Sequence, residues 1–303
     1  MQRKVSFFSG PGLRLSGVLD IPEGPAVRHP SVIICHGPNT GRTPSLMDYI
    51  TPNVAAWLVK AGYAVLQFHC RGIMESEGPE YRLIPSEQVD DTMNAITYVQ
   101  QQPEVDARRI GLWGSATGGA HASYVAGIDP RVQCIVSVSG MGDLGRWQRS
   151  MRRYWEWKEV LKKVEEDRVK RVLTGKSELL EVRQVIIQDP RTAQYSDELK
   201  TLFPDYRITE RLISVESVQA MIQYRPETMV HRISPRAAMW ICMAGDPLVP
   251  TEESESMFAR AGEPKKLVVL EARRHHDLYH GAGFERMMGH STAWFDEHLK
   301  NRL

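Results

Sequence analysis

The 303-residue chain has only four cysteines, and no two of them form a Cys-x-x-Cys pair. Cys35, Cys70, Cys134 and Cys242 each lie in a strand-like apolar stretch, which predicts buried, reduced thiols rather than disulfides or a thiolate metal site. No charge of either sign dominates, with 38 Lys and Arg against 37 Asp and Glu. No long run of one sign occurs, so nothing points to a nucleic-acid partner. No segment approaches the ~18 apolar residues that span a bilayer, so no membrane partner is expected. Residues 1–6 lack the apolar core of a secretory leader, and a cytoplasmic protein is the expectation. Internal repeats and low-complexity tracts are absent as well.

Short apolar runs alternating with amphipathic helical stretches fill most of the chain. Val5–Phe8 and Leu13–Ile21 read as an antiparallel pair, broken by Gly10-Pro11-Gly12. Ser31–Cys35 is an apolar run that stops at His36-Gly37. A helix is expected over 52–61, then a strand over 63–68. Val89, Met93, Ile96 and Val99 recur at helical spacing within 88–101. Strands follow over 109–114 and 133–138, with a helix over 120–126 between them. Strands at 237–243 and 266–270 and helices at 252–261 and 284–299 complete the alternation.

Between Trp147 and Met229 the strand signal fades and helix dominates. Trp157, Leu161, Val164, Val169 and Val172 are expected on one helical face. Repeated βα units predict an α/β fold: a mostly parallel eight-stranded sheet flanked by helices, with an inserted helical cap. The expected division is a core of 1–145 and 231–303 and a cap of 146–230.

Residues 111–119 read Gly-Leu-Trp-Gly-Ser-Ala-Thr-Gly-Gly. A nucleophile elbow is Gly-x-Ser-x-Gly between a strand and a helix. Gly114 and Gly118 are the flanking glycines here, and Ala116 occupies the serine position. Ser115 stands one place too early. Asp246 follows an apolar strand and precedes Pro247-Leu248-Val249-Pro250, and His275 opens His275-His276-Asp277-Leu278-Tyr279.

With His36-Gly37 and the Arg71–Gly78 segment, these motifs resemble the α/β-hydrolase superfamily, in particular its capped esterase and peptidase-like members. The resemblance covers nearly the whole chain and is weakest across 145–230. It implies the chain order nucleophile, acid, base, here Ala116, Asp246 and His275. His276 is the alternative base. One oxyanion donor is implied at the backbone of Thr117. The other would come from the residue after Gly37, which is Pro38 and has no N–H. Asn39, through backbone or side chain, is its expected replacement. Met74 stands where the superfamily's Arg-Gly-x-Gly loop has glycine, and that segment reads as structural.

His36 and His69 are candidates for the pocket, as are Trp147, Met151 and Tyr154 in an aromatic stretch fit for a small hydrophobic or aromatic substrate. His275, His276, Asp277 and His280 lack the spacing of a helical zinc motif, so neither metal nor cofactor is expected. Exposed cap helices could pair two subunits.

A methyl group cannot attack a carbonyl. The retained Asp246, His275 and glycines point to a Ser→Ala replacement in a serine hydrolase acting on an ester, lactone, thioester or amide, with carbon–carbon cleavage also known in the superfamily. The alternatives are a native enzyme using His275 and Asp246 as a general base, as in a lyase, or a ligand-binding protein without chemistry.

Overall fold

The structure is a computed structural model describing residues 1–24, 28–37, 39–190, 192–194, 198, 201, 211–271 and 274–300. The chain opens with strands β1 (Gln2–Ser9), β2 (Leu13–Asp20) and β3 (His29–Cys35), helix α1 (Leu46–Lys60) and strand β4 (Ala64–Phe68). Helix α2 (Pro85–Gln100), strand β5 (Val105–Ser115), helix α3 (Thr117–Ile128) and strand β6 (Val132–Val138) follow. Helices α4 (Leu144–Ser150) and α5 (Tyr154–Thr174), strand β7 (Leu179–Glu181), helix α6 (Val182–Val185), strand β8 (Leu212–Ser214) and helix α7 (Val215–Gln223) come next. Strand β9 (Ala237–Met243), helix α8 (Thr251–Arg260), strand β10 (Lys265–Leu270) and helix α9 (Gly281–Phe295) finish the fold.

Eight strands form one sheet in the order β1-β2-β4-β3-β5-β6-β9-β10. β1 pairs antiparallel with β2, and β2 with β4; every other pairing is parallel. The central strands are buried on both faces, which is why they read as unbroken apolar runs rather than alternating ones. Their side chains divide between two cores. Ile33, Leu112, Ile135 and Trp240 face a core completed by α2 and α3. Val32, Ile34, Trp113, Val136 and Ile241 face the opposite core, completed by α1 and α9.

Helix α1 begins six residues before the expected start at Pro52. The cause is a capping box, in which the Asp48 carboxylate accepts from Ser45 N (2.6 Å) and Ser45 Oγ (2.8 Å). Between β6 and β9 the expected helices are joined by a two-stranded antiparallel ribbon of β7 and β8, which carried too few residues to register as strands in the sequence. The α5 expectation needs correction. Trp157 and Val164 are half-buried, whereas Leu161, Val169 and Val172 are exposed, so these five residues do not share one packed face.

In the Arg71–Gly78 segment, Arg71 is clamped to the fully buried Asp91 (Nη2–Oδ1 2.6 Å) and to Asp90 (2.8 Å), consistent with a structural role. Met74, at the superfamily's glycine position, adopts φ 49°. All four cysteines are free and buried, and burial pushes the Cys35 thiol up to about 12.

Candidate active site

Ala116, Asp246 and His275 stand beyond the C-terminal ends of β5, β9 and β10, the edge where open α/β sheets hold ligands. Ala116 links β5 to α3 with φ 51° and ψ −119°. L-residues avoid this region unless the surroundings enforce it. Ala116 N donates to Val138 O (3.0 Å), and Ala120 N donates to Ala116 O (3.1 Å), pinning the turn on both sides. The flanking glycines are required by close approach. A Cβ on Gly114 would lie 2.2 Å from Gly118 O, and one on Gly118 would lie 2.1 Å from Cys35 O.

His275 opens a single helical turn after β10 and is buried. Its Nδ1 lies 2.7 Å from Asp246 Oδ2. The second carboxylate oxygen accepts from the backbone N–H of Leu248 (2.9 Å) and Val249 (3.0 Å). Burial alone would raise the Asp246 pKa. The facing imidazole and the two amides outweigh it and hold the carboxyl below the usual range. His276, the alternative base, packs its ring edge-on at 5.1 Å from that of His275, and burial drives it well below the ordinary imidazole range. The pairing with Asp246 is made by His275.

Ser115, one place ahead of the elbow, is buried, and its Oγ bonds the Tyr279 hydroxyl. Tyr279 belongs to the same turn as His275, and their rings are 5.9 Å apart. This contact ties the end of β5 to the loop that carries the imidazole. No local pattern in the chain signals this contact, because the two residues are 164 positions apart and meet only in the folded sheet.

Thr117 is the first residue of α3, so its N–H has no partner within the helix. Pro38 lies outside the described residues. Asn39 is buried, and both ends of its side chain are hydrogen-bonded: Nδ2 donates to Asp48 Oδ2 (3.0 Å) and Oδ1 accepts from Thr40 N (2.8 Å). One N–H of the Asn39 amide is thus spent on Asp48, which leaves its second Nδ2–H and its backbone N–H as the donors it could offer an oxyanion.

A narrow cleft, open to solvent on one side, lies between the elbow and the helical insertion. It is lined by Asn39, Thr40 and Thr117 together with Leu83, Trp147, Val182, Ile186, Arg211, Ile213 and Met221. Trp147 was expected here, and its Nε1 also donates to Leu248 O (2.8 Å), next to the Asp246 loop. Met151 packs against the core instead. Tyr154 is a correction, since it is 67% exposed on α5. The apolar wall from 182, 186, 213 and 221 could not be read from the chain, because those residues converge only in the folded insertion.

His36 and His69 gather around Asp48 and do not line this cleft. His69 Nε2 is 2.8 Å and His36 Nε2 3.4 Å from Asp48 Oδ1. Burial lowers the His36 pKa to about 4, the neighbouring Asp48 opposing that shift and His69 adding to it. Among the described residues these three could together hold a metal ion, whereas the sequence had directed attention to 275–280. The hydrogen bonds from His69, Asn39 and Ser45 already satisfy the carboxylate and fix the loop before α1.

An eight-stranded sheet of this order with a strained elbow and a buried Asp–His pair defines an α/β-hydrolase. The chain matches the X-Pro dipeptidyl-peptidase (S15) family over residues 12–273 and belongs to that family. It is 31% identical over 286 residues to an uncharacterised 31.7 kDa Escherichia coli protein from the traX–finO intergenic region, covering 92% of this chain and 94% of that one. It is 26% identical to the thiohydrolase aneE of Aspergillus aculeatus, covering 99% and 94%. The crystal structure of the α/β hydrolase GrgF from Penicillium superposes with a TM-score of 0.81 at 25% identity, covering 99% of both chains. No helix among the described residues is long and apolar enough to cross a membrane.

Proposed function

We propose that this chain is an acyl hydrolase whose native serine at position 116 is replaced by alanine. The observation that carries the reading is an elbow held at φ 51° on the same sheet edge as an intact His275–Asp246 pair. A methyl group gains nothing from either. In the serine form, Oγ at position 116 attacks the acyl carbon and its proton passes to His275 Nε2. Asp246 keeps Nδ1 protonated and stabilises the imidazolium. The developing oxyanion lies at the start of α3, toward Thr117 N–H and the positive end of the helix dipole, with Asn39 N–H as the second donor. Collapse transfers the proton from His275 to the leaving group. Water, deprotonated by His275, then releases the acyl-enzyme, and no cofactor is needed.

The apolar wall of the cleft fits a small hydrophobic or aromatic acyl group, and we take residues 146–230 as the cap that shapes it. The likeness to a thiohydrolase supports thioesters among the ester, lactone, thioester and amide candidates. Four free cysteines support a reducing, cytoplasmic setting.

The test is steady-state hydrolysis by Ala116→Ser of a panel of aryl esters, acyl thioesters, lactones and amides. Loss of a nucleophile costs on the order of 10⁶ in turnover, so the gain is expected to be large. No gain on any member defeats the reading. Because the acid–base pair is intact in the chain as it stands, a second reading has His275 acting as general base on water. Turnover by the unaltered chain that disappears in His275→Ala would favour it.

A further inference from the structure

Helix α5 has 21 residues, and Asp167 is its only buried side chain. Its inner face carries Trp157, Val160, Val164, Asp167 and Arg171, all half-buried or buried. Its outer face carries Trp155, Lys158, Lys162, Glu165, Val169 and Val172, all exposed. Val172 is 80% exposed and Trp155 60%, and Tyr154 and Leu173 flank them, also exposed. Large apolar side chains thus stand exposed at both ends of the outer face, with charged residues between them.

The order of the outer residues is informative. They recur at intervals of three, four, three, four and three, the spacing of a coiled-coil seam. Read backwards, the intervals are the same. An antiparallel copy of α5, centred between residues 163 and 164, therefore matches the seam to itself. In that register Trp155 meets Val172 of the second copy, Lys158 lays its methylene stem on Val169, and Lys162 faces Glu165. Tyr154 falls beside Leu173. Apolar layers close both ends, and two opposite-charge pairs sit at the centre. Within one chain Lys162 has only a loose, exposed contact with Glu166 at 3.9 Å, which is worth little and easily exchanged.

We propose that two copies of this chain pair through α5, antiparallel about a two-fold axis crossing the helix between residues 163 and 164. The self-complementary charge order favours a second copy over an unrelated partner, because a two-fold interface requires each patch to be its own complement.

Sedimentation velocity of the full chain at micromolar concentration should show a dimer. Val172→Glu should weaken it by about tenfold or more, because it puts a charge into both of the apolar end layers at once. Lys162→Glu and Glu165→Lys should each weaken it by placing like charges opposite one another, and the double variant should restore it. All three positions are exposed, so far-UV circular dichroism should be unchanged. A monomer throughout the micromolar range overturns the proposal. So does a dimer indifferent to Val172→Glu, or charge variants that add rather than compensate.

Discussion

The elbow's backbone makes a stability prediction that runs against ordinary glycine behaviour. Ala116 is held at φ 51°, ψ −119°, a conformation that costs a non-glycine residue about 1–3 kcal/mol. Ala116→Gly removes that strain. Against it stand the greater freedom glycine gives the unfolded chain, about 0.5–1 kcal/mol, and loss of a half-buried methyl worth under ~0.8 kcal/mol. With strain near the middle of its range, Ala116→Gly should stabilise the protein by about 1 kcal/mol. The control is Ala120→Gly, a fully buried position inside α3, where no strain offsets the same entropy and the change should destabilise by about 1 kcal/mol or more. Urea unfolding at neutral pH, with equal slopes for the variants, reads both values. If Ala116→Gly destabilises as much as Ala120→Gly, the elbow stores no strain and the argument that position 116 was shaped for a nucleophile loses its footing.

The other predictions are simpler. Gly118→Ala would place a methyl 2.1 Å from Cys35 O, so it should lower the melting temperature sharply or abolish soluble expression. His121 is buried between Gln88 Oε1 (2.8 Å) and the Tyr224 hydroxyl (3.2 Å), with no carboxylate bonded to it among the described residues, and burial lowers its pKa to about 4. The unfolded chain binds this proton near pH 6.5 and the folded chain does not, so His121 should subtract stability as pH falls from about 6.5 to about 4. The slope should approach 1.2 kcal/mol per pH unit near the middle of that window. Unfolding curves of His121→Gln, less stable at neutral pH, should show a shallower acid slope than the unaltered chain; an identical slope contradicts the assignment.

Much of this was legible in the chain because it rests on local chemistry. Parallel strands buried on both faces read as apolar runs, and Gly114 is fixed by the approach of Gly118 four residues on, although Gly118 itself is fixed by Cys35 on the neighbouring strand. Asp246 and His275 stood out by their order and flanking residues. Other features were hidden. Helix α5 has apolar residues on two opposed faces, and the sequence alone does not say which one packs. Asp48 is recognisable locally as a cap, but its hold on His36 and His69 depends on β3 and β4 lying side by side. That one N–H of the Asn39 amide is held by Asp48 could not be read from the chain either, because the bond depends on the folded loop before α1.

The central claim is that position 116, His275 and Asp246 form one acyl-transfer unit. Its most direct measurement is intact-mass and peptide mass spectrometry of Ala116→Ser after exposure to a fluorophosphonate. The account predicts a covalent adduct confined to the peptide carrying position 116, formed rapidly and slowed by several orders of magnitude when His275→Ala is added. No adduct there, or labelling indifferent to His275, would contradict it.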